Sequence, residues 1–567
     1  MKSSPKSILL IKVFSGSDDR ANAQDIQKAL SAAHATDALF FSAAEEWVQL
    51  ATEAVQKRIH QFSHLLFLGA DQIIDSNTIA AGLEKLDADD MIAGFQYAFD
   101  ATIKPYLIPF LLNHAFCVKR KMVVDFGIDF SGTFGELASS CQANRCGFRF
   151  MGFRQPENYF LKPEEIPVRD PEAKKIFQNY LGSQDRAWAR FSGQFNLNKL
   201  RVLFDLRHFA PTYNGTNTCG VNIMRTLYQE NPDLDVTLLC SSHVYKFLNF
   251  GELFPNWKTV ELLQETTVYE LHFVLGHPWV VEDLEKLNRD SYAVYYLILD
   301  SIAWDCLYIR SGFADLDRLW KYWSRSANGF LFISEFSKKI FTSRFPSSLQ
   351  AHQQVCLLST SSSDYHYAKD QTEFEQNGYY LIFGNHYSHK FIQPTIDLIK
   401  SHLTGSEKIL VVDKTDNGSD ERVIHYNSGD LSHAQMGALY RNAKAVFYPS
   451  QYEGFGLPVA EALSFGKTVF ARKSSVLLEL IGNWAGPGEV LPFDDNLDLI
   501  EKFKLFREGK SESFALRGHE QVAPNNWDAV GKKVYQFLMT TLQSSSTFEK
   551  TENRFRDYDF SKNLVVK

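Results

Sequence analysis

The chain has 567 residues, of which 45% are apolar and 22% are charged, and its formal net charge at pH 7 is -8. This length predicts three or four domains at roughly 150 residues each, and the apolar content is typical of a globular protein. The negative balance argues against a nucleic-acid-binding protein, which would carry a basic domain or stripe.

The seven cysteines include no CxxC pair, the closest two being Cys141 and Cys146, and no histidine stands at zinc-binding spacing. An odd, unpatterned set favours a reducing compartment, and we expect no metal site. Lys12 interrupts the N-terminal apolar run, which is typical of a strand rather than a signal peptide. Without a run of ~18 apolar residues we expect no transmembrane segment and a cytoplasmic protein, with contact at the inner membrane face left open.

Residues 1–160 have the pattern of a first α/β unit, with strands at Ser7–Phe14, Ser63–Leu68 and Met91–Phe95 and a helix at Ala21–Ala33. Residues 161–198 contain prolines and many charges and predict a linker between domains. The whole chain therefore predicts an α/β protein of several units.

The stretch SHLLFLGADQIIDSNTIAAGL resembles the strand and acidic turn of GT-A glycosyltransferases of family 2, where Asp-x-Asp holds a divalent ion on the donor diphosphate. Here Gly69 replaces the first acid and leaves Asp71 alone, and Glu136-Leu137 replaces a later Glu-Asp pair. A hard cation needs several oxygen ligands, and an inverting transferase needs a carboxylate base. The resemblance thus implies a GT-A-like domain that has lost catalysis, with an active domain as the alternative.

The next unit spans residues 199–370 and opens with a strand that runs from Leu200 toward Arg207. Gly215 and Gly220 flank a polar turn just before a helix. Backbone N–H groups at such a turn can meet a diphosphate, although a glycine pair alone is a weak signal.

Two further strand ends in this unit carry polar residues. The run Tyr269–Leu275 leads to His277, and the run Gly329–Ile333 leads to Ser334 at the start of a helix. A structural histidine and a helix cap are the alternatives to functional roles for His277 and Ser334.

The third unit, residues 371–542, begins as strand, loop and helix, with Gly384 at the strand end and Lys390 six positions later. A cation there can offset the charge that grows on a leaving diphosphate, whereas a plain surface lysine is the alternative. The unit closes with a predicted helix at Trp527–Leu542, and residues 543–567 form a polar tail.

The segment AVFYPSQYEGFGLPVAEALSFGKTVFARKSSVLLE predicts a buried strand to Pro449, a glycine-rich loop from Ser450 to Pro458 and a helix over Val459–Phe465. Glu453 lies in the loop and Glu461 in the helix. Ligands of open parallel sheets bind at such strand ends, where Glu461 can accept hydrogen bonds from ribose hydroxyls and Glu453 can face a sugar. Close backbone approach to the ligand is allowed by two glycines, Gly454 and Gly456.

The string PSQYEGFGLPVAEALSFGKT resembles the Glu-x7-Glu signature of retaining GT-B glycosyltransferases, family 4 in particular, with Lys467-Thr468 where Gly-x-Pro is usual. The resemblance covers residues 200–542 and implies two Rossmann-like domains that face each other across a cleft. It implies a nucleotide diphosphate sugar as donor, a glycan or lipid-linked acceptor, and no cofactor or metal.

The same resemblance assigns the site. Catalysis is expected of Glu453, Lys390 and His277, the last facing the donor sugar, and His389 replaces an arginine as a possible second cation. The donor is expected to contact the following residues: Glu461, Gly215, Gly220, Gly384, His389, Gly454, Phe455, Gly456, Leu457, Gly429, Leu431 and Ser334.

Three other functions remain open on the sequence. The chain could be a bifunctional polysaccharide-assembly enzyme, as in O-antigen synthesis, with both halves active. It could be a catalytically dead scaffold for other transferases, against which intact Glu453, Glu461 and Lys390 argue. A phosphorylase or synthase of the same fold is the third, and no lysine site of the pyridoxal type supports it.

Overall fold

A computed structural model shows three α/β units in one chain. It describes residues 7–14, 27–28, 31, 35–42, 47–68, 76–88, 90–96, 115–127, 142, 145–152, 200–263, 267–278, 291–306, 309, 316–359, 378–413, 420–427, 429–513, 515–517, 526–544 and 546–547. The expected helix at Ala21–Ala33 is only partly among these residues. The expected linker and polar tail, and the GT-A-like positions Gly69, Asp71, Glu136 and Leu137, lie outside them apart from a few tail residues.

The first unit is a mixed sheet in the order β2-β1-β3-β5-β4-β6. Its strands β1, β2 and β3 are parallel, β5 runs antiparallel to both β3 and β4, and β6 is parallel to β4. The elements are β1 (Ser7–Phe14), β2 (Ala35–Ser42), α1 (Trp47–Arg58), β3 (His64–Leu68), α2 (Ser76–Ala88), β4 (Ile92–Gln96), β5 (Ala115–Lys119), α3 (Arg120–Phe126) and β6 (Arg149–Gly152).

The second unit is a parallel seven-stranded sheet. Its interior strand Ser291–Ile298 is buried along all eight residues, as expected when helices cover both faces. The elements are β7 (Arg201–Asp205), α4 (Gly215–Glu230), β8 (Asp235–Leu239), α5 (Ser242–Phe247), α6 (Phe250–Leu253), β9 (Lys258–Val260), β10 (Tyr269–Leu275), β11 (Ser291–Ile298), α7 (Ile302–Asp305), α8 (Leu316–Ser326), β12 (Gly329–Phe332), α9 (Glu335–Arg344) and β13 (His352–Val355).

The third unit is again a seven-stranded sheet, parallel except for its last strand. The elements are β14 (Tyr379–Phe383), α10 (Ile392–Lys400), β15 (Lys408–Asp413), β16 (Val423–Asn427), α11 (His433–Asn442), β17 (Ala443–Tyr448), α12 (Leu457–Ser464), β18 (Thr468–Arg472), α13 (Ser475–Gly482), β19 (Glu489–Phe493), α14 (Asn496–Arg507), β20 (Leu516–Arg517) and α15 (Trp527–Leu542).

The predicted α/β fold with paired Rossmann-like sheets is confirmed. One strand end was predicted wrongly: β7 stops at Asp205 instead of running toward Arg207. There the Asp205 carboxylate accepts hydrogen bonds from the backbone N–H and guanidinium of Arg207, which turns the chain away from the sheet. Among the described residues, no helix has the length and apolar character that a bilayer crossing requires.

The last helix leaves its own sheet and packs on the second unit. Helix α15 lies against α4, where a Cβ on Gly531 would come within 2.3 Å of Thr226. The Thr226 hydroxyl also donates to the Trp527 carbonyl at 3.3 Å. The two parallel sheets are therefore joined by a helix that only glycine allows to approach so closely.

A buried ion pair anchors the cleft side of the second unit. Asp305 and Arg344 form a salt bridge in which neither side chain is exposed to solvent. Asp305 also accepts hydrogen bonds from Ser301 at 3.1 Å and from the Tyr452 hydroxyl of the third unit at 2.5 Å. The carboxylate therefore joins the two units at the cleft.

We expect Arg344→Met to lower the free energy of unfolding by about 3–5 kcal/mol, because it leaves the Asp305 carboxylate buried without its counter-ion. Lys258→Met is the control in the same unit, since the Lys258–Asp235 pair is largely exposed and should be worth no more than about 1 kcal/mol. Thermal unfolding of both variants measures the difference. Equal losses of unfolding free energy in the two variants would contradict the prediction that the buried pair stabilises the protein more than the exposed pair does.

Candidate active site

A cavity of about 530 Å³ lies between the two parallel sheets, and residues of both units line it. Its volume falls in the range of small-molecule sites. The walls are loops at the carboxyl ends of strands, which is where open parallel sheets bind ligands. The cleft expected between two Rossmann-like sheets is thus present.

An ion pair crosses the cavity wall. The Lys390 ammonium donates to Glu453 Oε1 at 2.5 Å, and the two side chains are only 14% and 17% exposed. Lys390 ends a 3₁₀ turn, Ser388–Lys390, and Glu453 lies in the loop between β17 and α12. The Tyr448 hydroxyl hydrogen-bonds to Glu453, and burial together with that carboxylate raises the Tyr448 pKa well above its ordinary value.

Asp300 is a cavity residue to which the sequence assigned no role. It follows β11, and its carboxylate accepts the Ile302 N–H at 2.9 Å. Burial raises its pKa to about 6, the nearby Glu453 carboxylate adds to the rise, and Lys390 opposes it. The site therefore holds two carboxylates around one ammonium group. The signal that could have found it was an acidic residue directly after a buried apolar strand.

Gly454 lies where the two units approach each other closely. A Cβ on it would lie 2.1 Å from the Leu299 carbonyl oxygen and 3.1 Å from the Asp300 Cβ. The Ser334 hydroxyl donates to the Gly454 carbonyl at 2.6 Å and accepts the Ser337 N–H at 3.0 Å. Ser334 is not among the described residues that line the cavity: it is fully buried behind this loop and caps α9, the alternative role given by the sequence.

The rest of the glycine-rich loop lines the cavity as predicted from its sequence. Phe455, Gly456 and Leu457 all face the cavity with Gly454. Gly456 has φ +95° and directly precedes α12, so a residue without a Cβ is required there. Glu461 lies one turn into α12, also lines the cavity, and accepts the Tyr440 hydroxyl at 2.9 Å.

The glycines of the second unit do not flank a loop. Helix α4 begins at Gly215 itself, because the Asn214 side chain caps it by accepting the Asn217 N–H at 2.8 Å. Gly215 lines the cavity, but Gly220 lies inside the helix, where a Cβ would come within 2.3 Å of the Phe209 ring. The donor-binding prediction for Gly220 is therefore wrong: it allows the helix to pack on the sheet.

Neither predicted histidine can act as expected. His277 is not among the described residues that line the cavity, and its ring packs edge-on against Trp320 at 4.4 Å between centroids. Burial and the neighbouring His208 lower the His277 pKa to about 3. His389 does line the cavity, but burial and then Lys390 hold its pKa well below its usual value, so the imidazole is neutral and is not a second cation.

Three further predicted residues also line the cavity: Gly384, Gly429 and Leu431. Gly384 follows β14, where a Cβ would lie 2.3 Å from Ile392 Cδ1. Gly429 has φ +92°, and its carbonyl accepts the Tyr213 N–H of the second unit at 3.3 Å. This contact closes the cavity wall between the two sheets. Among the described residues no group of three or more His, Cys, Asp or Glu is arranged to hold a metal ion.

Comparison with known proteins gives a family match over the part of the chain that contains the two glutamates. Residues 421–517 match the family described as Glycosyl transferases group 1, and this span includes Glu453 and Glu461. The chain is 38% identical over 60 residues to the MMP alpha-(1->4)-mannosyltransferase of Mycolicibacterium hassiacum, which is 11% of this chain and 14% of that protein. It is 36% identical over 86 residues to the O-antigen chain mannosyltransferase B of Escherichia coli, which is 15% and 22%.

Solved structures are similar to the chain over a larger span at low identity. A sucrose-phosphate synthase from Thermosynechococcus elongatus has a TM-score of 0.41 and 13% identity, covering 63% of this chain and 98% of its own. The Anabaena protein HepE in complex with UDP-glucose has a TM-score of 0.40 and 14% identity, covering 63% and 100%. The chain spans less than a quarter of the length of the curated relatives that it matches.

We expect Gly454→Ala to destabilise the protein by about 1–3 kcal/mol, because the added methyl group overlaps the Leu299 carbonyl and must push the two units apart. Gly482→Ala is the matched control, since a Cβ there meets nothing within 4 Å. Its expected effect is within about 0.5 kcal/mol. Thermal unfolding of the two variants distinguishes them, and a silent Gly454→Ala would show that the contact is not tight in solution.

Proposed function

We propose that this chain, whose residues 421–517 match Glycosyl transferases group 1, is a retaining glycosyltransferase of the family 4 type. It moves a sugar from a nucleotide diphosphate sugar to a glycan or lipid-linked acceptor. The observation that carries the proposal is the Lys390–Glu453 ion pair in the wall of a cavity of nucleotide-sugar size. We further propose that the enzyme is cytoplasmic and works without a metal. Where the acceptor is a lipid, the enzyme contacts the membrane face.

The diphosphate is proposed to bind where positive charge converges. Lys390 supplies a full charge, and the N-termini of α12 and α4, at Leu457 and Gly215, border the cavity with free N–H groups. These groups stabilise the charge that grows on the leaving nucleotide diphosphate. Because His389 is neutral, Lys390 is the only full cation among the described cavity-lining residues.

The donor's sugar and ribose are proposed to lie beside the two glutamates. Glu461 accepts a hydrogen bond from the Tyr440 hydroxyl, and we propose that its carboxylate also accepts from ribose hydroxyls. Glu453 is held by Lys390 and Tyr448 and orients the sugar. Fixing the donor in this way supplies the positioning that transfer chemistry requires.

The reaction follows from the family that the sequence resembles. The bond between the anomeric carbon and the phosphate oxygen breaks, through a transition state with oxocarbenium character. The acceptor oxygen bonds to the same face of that carbon, and its proton passes to the departing phosphate. Mannose is the first sugar to test in the donor, because both curated relatives are called mannosyltransferases.

We expect Glu453→Gln and Lys390→Met to lower kcat by about 10²–10³, as the loss of an electrostatic stabiliser does. The assay is nucleotide release from GDP-, UDP-, ADP- and TDP-sugars with an acceptor extract, with and without EDTA. Turnover in the wild type should survive EDTA, since the proposed chemistry uses this chain's own cation.

The control is Lys502→Met, which removes a lysine from a comparable ion pair with Asp498 at 2.9 Å and 18% exposure, away from the cavity. Its turnover should equal that of the wild type. Turnover that EDTA abolishes and that ignores Glu453 would move the chemistry to the first unit and would overturn the proposal.

We expect donor binding to depend on pH because the Asp300 carboxyl titrates. Its pKa of about 6 means that it is protonated below and ionised above that pH, and ionisation adds a second negative charge near Lys390. Intact nucleotide sugars do not titrate in this range, so donor affinity should fall about tenfold, ~1.4 kcal/mol, from pH 5 to pH 8.

Calorimetric titration at several pH values measures this change. Asp300→Asn should bind the donor with an affinity that varies little over the same range. Because the pKa of Asp300 is higher in the folded than in the unfolded protein, the free energy of unfolding of the wild type should fall as pH rises from about 4 to 6. Asp300→Asn lacks this carboxyl, so it should gain stability relative to the wild type above about pH 6. An unchanged pH dependence in Asp300→Asn would assign the titration to another group.

A further inference from the structure

The first unit packs directly behind the two loops that carry Lys390 and Glu453. One hydrophobic cluster contains core residues of the first unit, such as Phe116 and Phe148, together with residues of both other units. The third unit contributes Phe391 and Tyr452, the immediate neighbours of Lys390 and Glu453 in sequence. All three units therefore share a core at this point.

The first unit contacts residues that precede and follow Lys390 in sequence. The Cys146 thiol lies 3.5 Å from the Ser388 carbonyl, to which it donates. The Phe126 ring packs edge-on against Phe391 at 5.6 Å between centroids. Phe391 has φ +55°, a left-handed conformation that is costly for a bulky residue and persists only where its surroundings hold it.

The same unit also contacts the loop of Glu453. The Gln451 side chain donates to Asp125 Oδ2 at 3.3 Å. Gly147 has φ +88° and lies against the Tyr452 ring, where a Cβ would come within 2.8 Å. The two loops are tied to each other as well, because the Gln451 N–H donates to the His389 carbonyl at 2.7 Å.

Asp125 of α3 is the centre of these contacts. Its fully buried carboxylate accepts from Arg472 Nη1 at 2.5 Å and from the Asn496 N–H at 3.0 Å, besides Gln451. Arg472 in turn donates to the Pro449 carbonyl at 3.2 Å, and its guanidinium lies over the Phe391 ring at 5.3 Å. One carboxylate thus fixes an arginine that contacts both loops.

We propose that the first unit is an intramolecular brace for the active site, and that Asp125 is a positioning residue that holds the loops of Lys390 and Glu453 in register. The inference rests on the proposed function for the roles of those two residues. It gives the GT-A-like unit a task that needs neither an acidic metal site nor a base of its own. The positioning shell around a reacting group commonly controls activity in this way.

The matched pair of variants is Asp125→Asn and Arg120→Gln. Arg120 also lies on α3 and forms an ion pair of the same length, 2.5 Å, with buried Asp495 of the third unit. Its described contacts, with Asp495 and with the backbone of residues 60 and 63, touch neither loop. Both variants remove one charge from the same interface, but only Asp125→Asn acts on the loops.

Hydrogen exchange of the full-length protein is the first readout, because it does not need activity. In Asp125→Asn the amides of residues 387–391 and 450–455, that of Gln451 above all, should exchange at least about tenfold faster than in the wild type. Arg120→Gln should leave these amides unchanged. Equal effects of the two variants, or none from Asp125→Asn, would overturn the proposal.

Turnover is the second readout. Asp125→Asn should lower kcat by about 10–100-fold, as loss of an outer positioning contact does, while KM for the donor changes less than about threefold. Arg120→Gln should turn over at the wild-type rate. A wild type without transfer activity would defeat the proposed function alone, since the exchange result still decides whether the brace exists.

Gln451→Met keeps the test decisive where Asp125→Asn fails to fold. This variant removes the loop's own side-chain bond to Asp125 and leaves the Asp125–Arg472 pair intact. We expect faster exchange in the same two loops and a kcat loss of about threefold to tenfold. Unchanged exchange and unchanged kcat would show that the first unit does not position these loops.

Discussion

A lysine and a glutamate held 2.5 Å apart in the cavity wall, both mostly buried, are the interaction on which the remaining structure depends. Removing both charges from water is costly, and their attraction offsets that cost only when geometry and further hydrogen bonds are good. Tyr448 supplies one such bond to Glu453. The glycine at 454 lets the second unit approach the loop closely. The site is thus preorganised by packing that extends through all three units.

The units contribute different things to that site. The third unit supplies the ion pair, Glu461 and the helix after Gly456. The second supplies Asp300 and the start of α4, whereas the described residues of the first contact the backs of two cavity loops. This division suits the proposed brace, because a brace requires buried contacts rather than catalytic groups.

Short-range patterns predicted much of this arrangement. The string around Glu453 and Glu461 places loop, helix start and glutamates together because all of them lie in one short stretch between the end of β17 at Tyr448 and Glu461. The packing of single residues was less predictable. Gly220 lies inside α4 against the Phe209 ring, and the His277 ring packs against Trp320. Ser334 contacts a carbonyl 120 residues away, and Asp125 a side chain 326 residues away, and no local pattern reports such pairs.

The return of α15 to the second unit has a consequence for synthesis of the chain on the ribosome. Thr226 of α4 finds its partner at Trp527, 301 residues later. At about 5–20 residues per second, the face of α4 that α15 covers stays uncovered for about 15–60 s. The second unit can build its sheet during this time, but it completes its surface only when the final helix emerges. The second and third units therefore complete their packing together, once the final helix has emerged, rather than one after the other in the order of translation.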